Sequence, residues 1–500
     1  MTRLATARAR TVSAVRAVSW AGVARVVVVG GAAAGLVYVA AGQAPGLDLA
    51  AAVGEDEAPV ASTALTTRVA QVCPGPELTG IPGVPDVSVP ASVTAASGPA
   101  DLLPADPPPK GSLTVEAGTS DVLTVDGRPE AATEAVPQDS PLRVTGEGAL
   151  APAVAAAQEW RLDGKDLRGL VSAPCGAGST DQWLLAGGAG AGRQERLVLT
   201  NPGANPVTAA VAVHGRGGPL GDPIVETVAP GARVSVLLDG RYGDEDLPAV
   251  HVTTDGAGVH AVLTDTWLQG STALGAESTG AAVAPAVRQV VPGVVLGIGP
   301  GALRVVAPGD QSAVVRVDVI GPSGFVALPQ GSVLSVPAGA VAELALTGIP
   351  AGTYTVVARS DVPVTAAALS RVGDGSGPGD IAWAPAAPPL QAVGGLALPP
   401  TAGVGRQLHL VSTGGSTTLE VTTVAGDTPT TRTVSLLADR VATVPLEGAS
   451  SVWVRRTSGT GELRGGVVAS WGSGAPRMLS ATTLRESAVS SPVSRAFPLP

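Results

Sequence analysis

The sequence predicts an all-β protein in which tandem immunoglobulin- or fibronectin type III-like β-sandwich domains follow an N-terminal transmembrane helix. Three observations predict this fold. Alternation of apolar and polar residues, which is typical of half-buried strands, recurs about every 105 residues. Gly (66) and Pro (44) together make up 22% of the 500 residues and mark turns at short intervals. One long apolar run lies near the N-terminus.

The N-terminal segment has the charge pattern of a membrane anchor. Residues 1–25 contain five arginines and no acidic residue, and residues 26–47 contain no charged residue. About 20 apolar residues span a bilayer, and flanking positive charge stays on the cytoplasmic side. We therefore predict a cytoplasmic basic segment (1–25), a transmembrane helix (26–47) and a linker (48–62), with the bulk of this cell-membrane protein extracytoplasmic. Signal cleavage near 39–41, followed by secretion, is the alternative.

The two cysteines, Cys73 and Cys175, both lie on the predicted exported side, where oxidation is permitted. We expect them to form a disulfide that closes a loop of about 100 residues within a strand-rich domain over 63–180. A metal site or a catalytic cysteine is the weaker alternative, since the histidines lie far away in the sequence. A short helix is expected at 153–160.

Internal repetition divides the rest of the chain. Val211, Val317 and Val421 occupy equivalent positions in three alternating segments. Each repeat should contain six or seven short strands and end in two strands joined by a turn, as at 354–358 and 364–368. A propeller blade would repeat every 40–50 residues, so a whole sandwich per repeat fits better. We predict β-sandwich repeats over 181–280, 281–375 and 376–485, and a flexible tail over 486–500.

Composition excludes several functional classes. The net charge is −10, and only 14% of the residues are charged, against about 25% in an average chain. A nucleic-acid-binding domain needs a basic face, and none is present beyond the N-terminal segment. We therefore expect no nucleic-acid partner.

Motifs for catalysis or cofactor binding are weak. The segment 297–302 matches the dinucleotide-binding fingerprint Gly-x-Gly-x-x-Ala, but a strand-like sequence follows it where the fingerprint requires a helix. No Gly-x-Ser-x-Gly elbow is present, and the four histidines are scattered. We therefore expect that the protein is not an enzyme and that it has no catalytic residue, cofactor or metal site.

One loop could bind a ligand or calcium through its carboxylates. Its acidic residues are Asp239, Asp244, Glu245 and Asp246. Their spacing matches no calcium motif, so a solvated acidic loop is the alternative interpretation.

Two motifs connect the chain to a known family. Trp183-Leu-Leu-Ala-Gly-Gly188 precedes Arg196-Leu-Val-Leu-Thr-Asn201-Pro202, and Trp267 closes the repeat. With the Cys-Pro at Cys73 and the second cysteine before the Trp motif, the chain resembles DUF5719, an actinobacterial family of membrane-anchored proteins, over residues 20–475. Repeats 2 and 3 lack the Asn-Pro pair. The resemblance implies an envelope role and no specific activity.

The sequence thus predicts a non-enzymatic structural, scaffold or protein-binding component of the cell envelope. Its expected partners are the membrane, through the N-terminal helix, and envelope proteins or cell-wall glycans. Two alternatives stay open: a carbohydrate-binding accessory of envelope polysaccharide or glycoprotein assembly, and an enzyme with an inter-domain active site. Tryptophans exposed on one face would favour sugar binding, whereas core tryptophans would not.

Overall fold

Antiparallel strands build nearly all of the regular structure. The computed structural model describes residues 62–80, 86–137, 140–472 and 477–493. Within these ranges the only helical elements are a 3-10 turn (Ala100–Leu102) and α1 (Asp239–Tyr242), so the all-β prediction is confirmed.

The predicted basic segment (1–25) and transmembrane helix (26–47), with the linker up to residue 61, lie outside the described residues. None of the helices within the described ranges has the length and apolarity that crossing a membrane requires.

The strands fall into four consecutive modules within one compact unit, Thr63–Ser491. Module 1 contains β2 (Arg68–Cys73), β3 (Ala91–Ser97), β4 (Gly111–Ala117), β5 (Ser120–Val125), β6 (Ala131–Ala135), β7 (Leu142–Gly148), β8 (Val154–Asp163) and β9 (Arg168–Pro174). Module 2 contains β10 (Asp181–Leu184), β11 (Arg193–Thr200), β12 (Val207–Gly215), β13 (Gly218–Pro219), β14 (Ile224–Val228), β15 (Arg233–Leu237), β16 (Ala249–Thr254), β17 (His260–Gln269) and β18 (Thr272–Gly280).

Modules 3 and 4 continue the series. Module 3 contains β19 (Ala286–Leu296), β20 (Gly301–Val306), β21 (Ala313–Gly321), β22 (Gly324–Val326), β23 (Val333–Val336), β24 (Val341–Ala345), β25 (Gly352–Val372) and β26 (Asp380–Pro385). Module 4 contains β27 (Val393–Ala397), β28 (Val404–Thr413), β29 (Thr417–Ala425), β30 (Thr428–Leu436), β31 (Arg440–Pro445), β32 (Ser451–Gly459), β33 (Glu462–Trp471) and β34 (Met478–Thr483). β1 (Ser62–Leu65) precedes the modules, and β35 (Arg485–Glu486) and β36 (Ser490–Val493) follow them.

All four modules share one topology. If the short hairpin strands β13 and β22 are set aside, each module has eight strand positions in two antiparallel sheets, ordered 1-6-3-4 and 5-2-7-8. In modules 1 and 4, buried side chains from both sheets form one apolar core, while modules 2 and 3 share a continuous core. The region 63–180, which shows no repeat signal in its sequence, is therefore a fourth copy of the same arrangement.

The repeat signal lies in the third strand of its module. β12, β21 and β29 each pair with the fourth and sixth strands, and Val211, Val317 and Val421 point into the core. Modules 2 and 3 each also contain the same kind of side-chain hydrogen bond at equivalent positions. Asp255 accepts a hydrogen bond from the Thr208 backbone N–H at 2.8 Å, and Asp361 accepts one from the Val314 N–H at 2.9 Å, with the same sequence offset of 47.

Two local predictions were wrong. In module 3 the expected pair of strands is one 21-residue strand, β25, which pairs with β19 and β21 in one sheet and then with β20 and β26 in the other. The alanine-rich segment 153–160 is not a helix, because its residues lie in β8 between β3 and β9, where pairing on both sides outweighs the helix propensity of alanine.

The eighth strands of the four modules meet around a common centre. β9 contacts β18, β18 contacts β26, β26 contacts β34, and β34 contacts β9. Small residues permit this approach. A Cβ on Gly169 would lie 2.6 Å from the Ala276 carbonyl oxygen, and one on Gly275 would lie 2.7 Å from the Asp380 backbone. The four strands are consequently buried on both faces.

The two ends of the compact unit meet beside module 1. The Thr66 N–H donates to the Val489 carbonyl at 3.0 Å, and the Ala153 N–H donates to the Ala488 carbonyl at 3.0 Å. The predicted tail begins with β35 and β36, and residues 494–500 lie outside the described part of the chain.

The predicted disulfide between Cys73 and Cys175 is confirmed. It joins the end of β2 to the segment that leaves β9, and both cysteines are buried. Backbone hydrogen bonds between Val72 and Gly176, at 2.8 and 2.9 Å, flank it. The bond therefore holds the first and last strands of module 1 together.

Replacing both cysteines (C73S with C175S) should lower the free energy of unfolding by about 4–5 kcal/mol, because the bond closes a loop with a sequence separation of 102. Urea unfolding of the purified full chain measures the change. Reduced wild-type protein is the control and should match the double variant. Equal stability of oxidised wild type and variant would contradict the prediction.

Candidate functional site at the module junction

A buried carboxyl group from Asp380 lies where the four eighth strands meet. Its oxygens accept hydrogen bonds from the backbone N–H groups of Ala276 (3.3 Å) and Leu479 (2.8 Å), and the Leu170 N–H also donates to it. These donors belong to the eighth strands of modules 2, 4 and 1. One side chain of module 3 thus bonds the backbone of every other module.

Glu277 provides a second buried carboxyl group at this junction. It accepts hydrogen bonds from the Ser480 hydroxyl at 3.1 Å and the Ala481 N–H at 3.4 Å in module 4, and from its neighbour Ser278 at 3.0 Å. Burial raises the pKa of Glu277 and of Asp380 well above their ordinary values, and the proximity of Asp380 raises the pKa of Glu277 further. The junction therefore favours protonated carboxyl groups.

A raised folded-state pKa stabilises the protein most at acidic pH, and this contribution is lost as pH rises from the unfolded pKa towards the folded one. Wild-type stability should therefore fall as pH rises from 5 to 8. Glu277→Gln, which has the same shape but does not titrate, should show a shallower fall. Urea unfolding at several pH values measures both slopes. The control Glu130→Gln, at an exposed position, should keep the wild-type slope; a wild-type slope in E277Q would refute the assignment.

A charged network connects modules 2 and 3 beside the Trp-Gly-Gly motif. Arg193 forms a two-point ion pair with the buried Asp265, at 2.8 and 2.6 Å, and the indole N–H of Trp383 donates to the same carboxylate at 2.8 Å. Although burial opposes it, Arg193 lowers the pKa of Asp265 below its ordinary value. The carboxylate is thus ionised and fully partnered.

Arg304 completes this network from module 3. Its guanidinium donates to three backbone carbonyls of module 2, those of Ala186 (2.9 Å), Pro248 (2.9 Å) and Gly187 (3.0 Å), and lies over the Trp383 ring. The motif segment therefore supplies acceptors for a buried cation across the module boundary.

The motif glycines make room for the network. Gly187 and Gly188 have φ angles of +88° and +156°, and a Cβ on Gly187 would collide with the carboxyl group of Glu195. Burial raises the pKa of Glu195 to about 8, and this side chain accepts a hydrogen bond from the Gly188 N–H. Asn201 bonds the carbonyls of Asn205 and Val228, so the Asn-Pro motif forms a turn. These family motifs have structural roles.

Gly187→Ala should lower the free energy of unfolding by at least about 1–2 kcal/mol, because it places a Cβ in left-handed backbone and against Glu195. Gly309→Ala is the matched control: a Cβ there meets open space without a positive φ, so the change should stay within about 0.5 kcal/mol. Chemical denaturation distinguishes the two variants. Equal stability of both would refute the role assigned to Gly187.

A cavity of about 460 Å³ opens where the eighth strands end. All four modules contribute to its wall, which includes residues from β9, β18, β26 and β34 and from the segments that follow them: Ser172, Pro174, Ser278, Gly280, Pro385, Thr482 and Thr483. The size lies within the range of about 300–1,000 Å³ found for ligand pockets. This cavity is the candidate functional site.

Two basic side chains line the cavity, His260 and Arg485. His260 hydrogen-bonds the Pro174 carbonyl through one ring nitrogen, while its Nε2 is buried without a hydrogen-bond partner. The guanidinium of Arg485 donates to the Ala281 carbonyl. Two carboxylates also line the wall, Asp181 and Glu486. Asp181 contacts His251 at 3.1 Å, and Glu486 accepts from the Ala392 N–H at 2.6 Å, so each has its own partner.

The acidic loop of module 2 lies apart from this cavity. Asp239 begins α1, Glu245 accepts hydrogen bonds from the N–H groups of Arg216 (3.1 Å) and Leu247 (2.9 Å), and Asp246 lies 3.6 Å from Arg216. Asp244 is exposed. Across the described ranges, no group of three or more His, Cys, Asp or Glu residues is placed to hold a metal ion. Calcium binding by this loop stays a prediction.

The other candidates are structural elements. The Gly-x-Gly-x-x-Ala segment leads into the strand β20, as its sequence indicates. His251 stacks on Trp183 with ring centroids 4.1 Å apart. Trp160, Trp183, Trp383 and Trp453 are buried. Trp267 and Trp471 are half-buried. The guanidinium groups of Arg193 and Arg371 lie against the Trp267 ring. Those of Arg161 and Arg477 lie against the Trp471 ring.

Sequence reasoning missed Asp380, Glu277 and the cavity. The cavity wall joins residues that are far apart in the chain, as the 2.8 Å hydrogen bond from the Thr482 hydroxyl to the Ser172 carbonyl illustrates. The available signal was an acidic residue inside an otherwise small and apolar strand, at Glu277 and at Asp380.

Comparison with known families gives one match. The model described as "Family of unknown function (DUF5719)" matches residues 124–447, which include both sequence motifs and most of modules 2 to 4. No curated protein matches the sequence.

Proposed function

Because the chain belongs to the DUF5719 family, whose function is unknown, we propose its role from its own residues: a membrane-tethered, extracytoplasmic and non-enzymatic scaffold that binds other envelope proteins. We also propose that the modules are immunoglobulin-like β-sandwiches. Two antiparallel sheets around one core support the sandwich, although the order 1-6-3-4 and 5-2-7-8 differs from the immunoglobulin order.

The buried disulfide supports an extracytoplasmic location, because stable disulfides form in oxidising compartments. The five arginines in 1–25 and the uncharged run over 26–47 support a tether with a cytoplasmic N-terminus. Secretion after signal cleavage is the alternative that a mass measurement of the mature chain would distinguish.

The observation that carries the scaffold role is the set of buried hydrogen bonds and ion pairs that connect the modules. Asp380 bonds all other modules, Arg304 crosses from module 3 to module 2, and Arg406 of module 4 pairs with the buried Glu159 of module 1. Such contacts oppose relative motion of the modules, because a shift would leave buried polar groups without their hydrogen-bond or ion-pair partners. A body fixed in this way can hold several binding surfaces in constant orientation.

The surface that we assign to partner binding lies on module 3. Val314, Phe325 and Val333 are 54%, 60% and 63% exposed on one sheet, and Val333 belongs to its edge strand β23. The three side chains lie along β21 and the strands β22 and β23 that pair with it, and exposed apolar side chains at the edge of a sheet suit the binding of a partner. The carbohydrate alternative receives less support, because each half-buried tryptophan is already covered by arginines.

Capture of envelope proteins by the full chain, after crosslinking at the cell surface, tests this function. Phe325→Glu with Val333→Glu should reduce the captured partner at least about tenfold, equivalent to about 1.4 kcal/mol. Leu437→Glu is the matched control, because Leu437 is 61% exposed on module 4. Capture of cell-wall glycans alone, or equal capture by all variants, would overturn the scaffold proposal.

A further inference from the structure

The cavity at the module junction contains a cation with no acidic partner. Arg485 donates to the Ala281 carbonyl, and among the described residues no carboxylate lies within ion-pair distance of it. Arg485 is exposed, and the protein atoms around its guanidinium partly desolvate it and lower its pKa. An arginine has five N–H donors, so several remain for a ligand.

His260 lines the same cavity, and its Nε2 is a buried ring nitrogen without a hydrogen-bond partner. Since the Pro174 carbonyl can only accept, the ring nitrogen that bonds it carries the proton, and Nε2 is left with a lone pair. Burial and the positive charge of Arg485 together lower the pKa of His260 to about 4, so the ring is neutral at pH 7. A buried acceptor without a partner favours a ligand that donates a proton.

We propose that this cavity binds a small hydroxylated oxyanion, a molecule whose phosphate or carboxylate group contacts Arg485 while one of its hydroxyls donates to Nε2 of His260. The volume of about 460 Å³ accommodates a small organic molecule rather than a single ion. The hydroxyl-bearing wall residues, including Ser172, Thr279 and Thr483, suit a polyhydroxylated ligand. The proposal does not depend on the scaffold role, because the cavity lies at the junction of the four modules and its wall includes none of the exposed apolar residues to which partner binding is assigned.

Inorganic phosphate and sulfate are the probes. At pH 7 phosphate carries both negative charge and a P–OH donor, whereas sulfate carries charge alone. Isothermal titration of the full chain in a phosphate-free detergent, at constant ionic strength, should show phosphate binding at least about tenfold tighter than sulfate binding. A wild type that binds neither ion, or both equally, would overturn the proposal.

Two variants locate the site. Arg485→Gln should weaken phosphate binding at least about tenfold, while the exposed Arg432→Gln should leave it unchanged. Gly280→Leu keeps Arg485 but adds a side chain in the cavity wall, where a Cβ meets open space and φ is not positive. It should fold normally and lose phosphate binding. Unchanged phosphate affinity in either cavity variant would overturn the assignment, so a folding defect in R485Q alone does not prevent the test.

Discussion

The arrangement of the four modules depends on removing two carboxyl groups from water. Asp380 and Glu277 can be buried at the junction because backbone N–H groups of neighbouring modules bond them and because protonation removes the cost of a buried charge. Small residues in the eighth strands, such as Gly169 and Gly275, bring those backbones close enough to donate. The position of every module therefore follows from a junction of short side chains around two acids.

The family motifs serve the same principle at a second place. Trp-Gly-Gly and its partners surround an ionised Asp265 with Arg193, Trp383 and nearby Arg304, so a charge of module 2 is satisfied partly by module 3. The part of the junction that remains open to a ligand is the cavity. The cavity lies where the eighth strands end, and its Arg485 and His260 retain unused hydrogen-bonding capacity.

The all-β class and the repeat period of about 105 residues could be predicted from the sequence, because the alternation in β12, β21 and β29 reflects one buried and one exposed face. The disulfide could be predicted because the chain has two cysteines. The eighth strands carry no such alternation, since both of their faces are buried, and module 1 lacks the motifs that identify a repeat. The cavity was beyond sequence reasoning because its wall joins residues about 300 positions apart, such as Ser172 and Thr482, and no local pattern records their meeting.

The hydrogen bond between Thr66 and Val489 brings the start and the end of the compact unit together. The chain that enters the first module and the chain that leaves the last one therefore lie side by side at this point. A force applied to the chain before Thr66 would therefore act first on these few hydrogen bonds and then on the nearby disulfide, which is a covalent bond and does not separate under the same load.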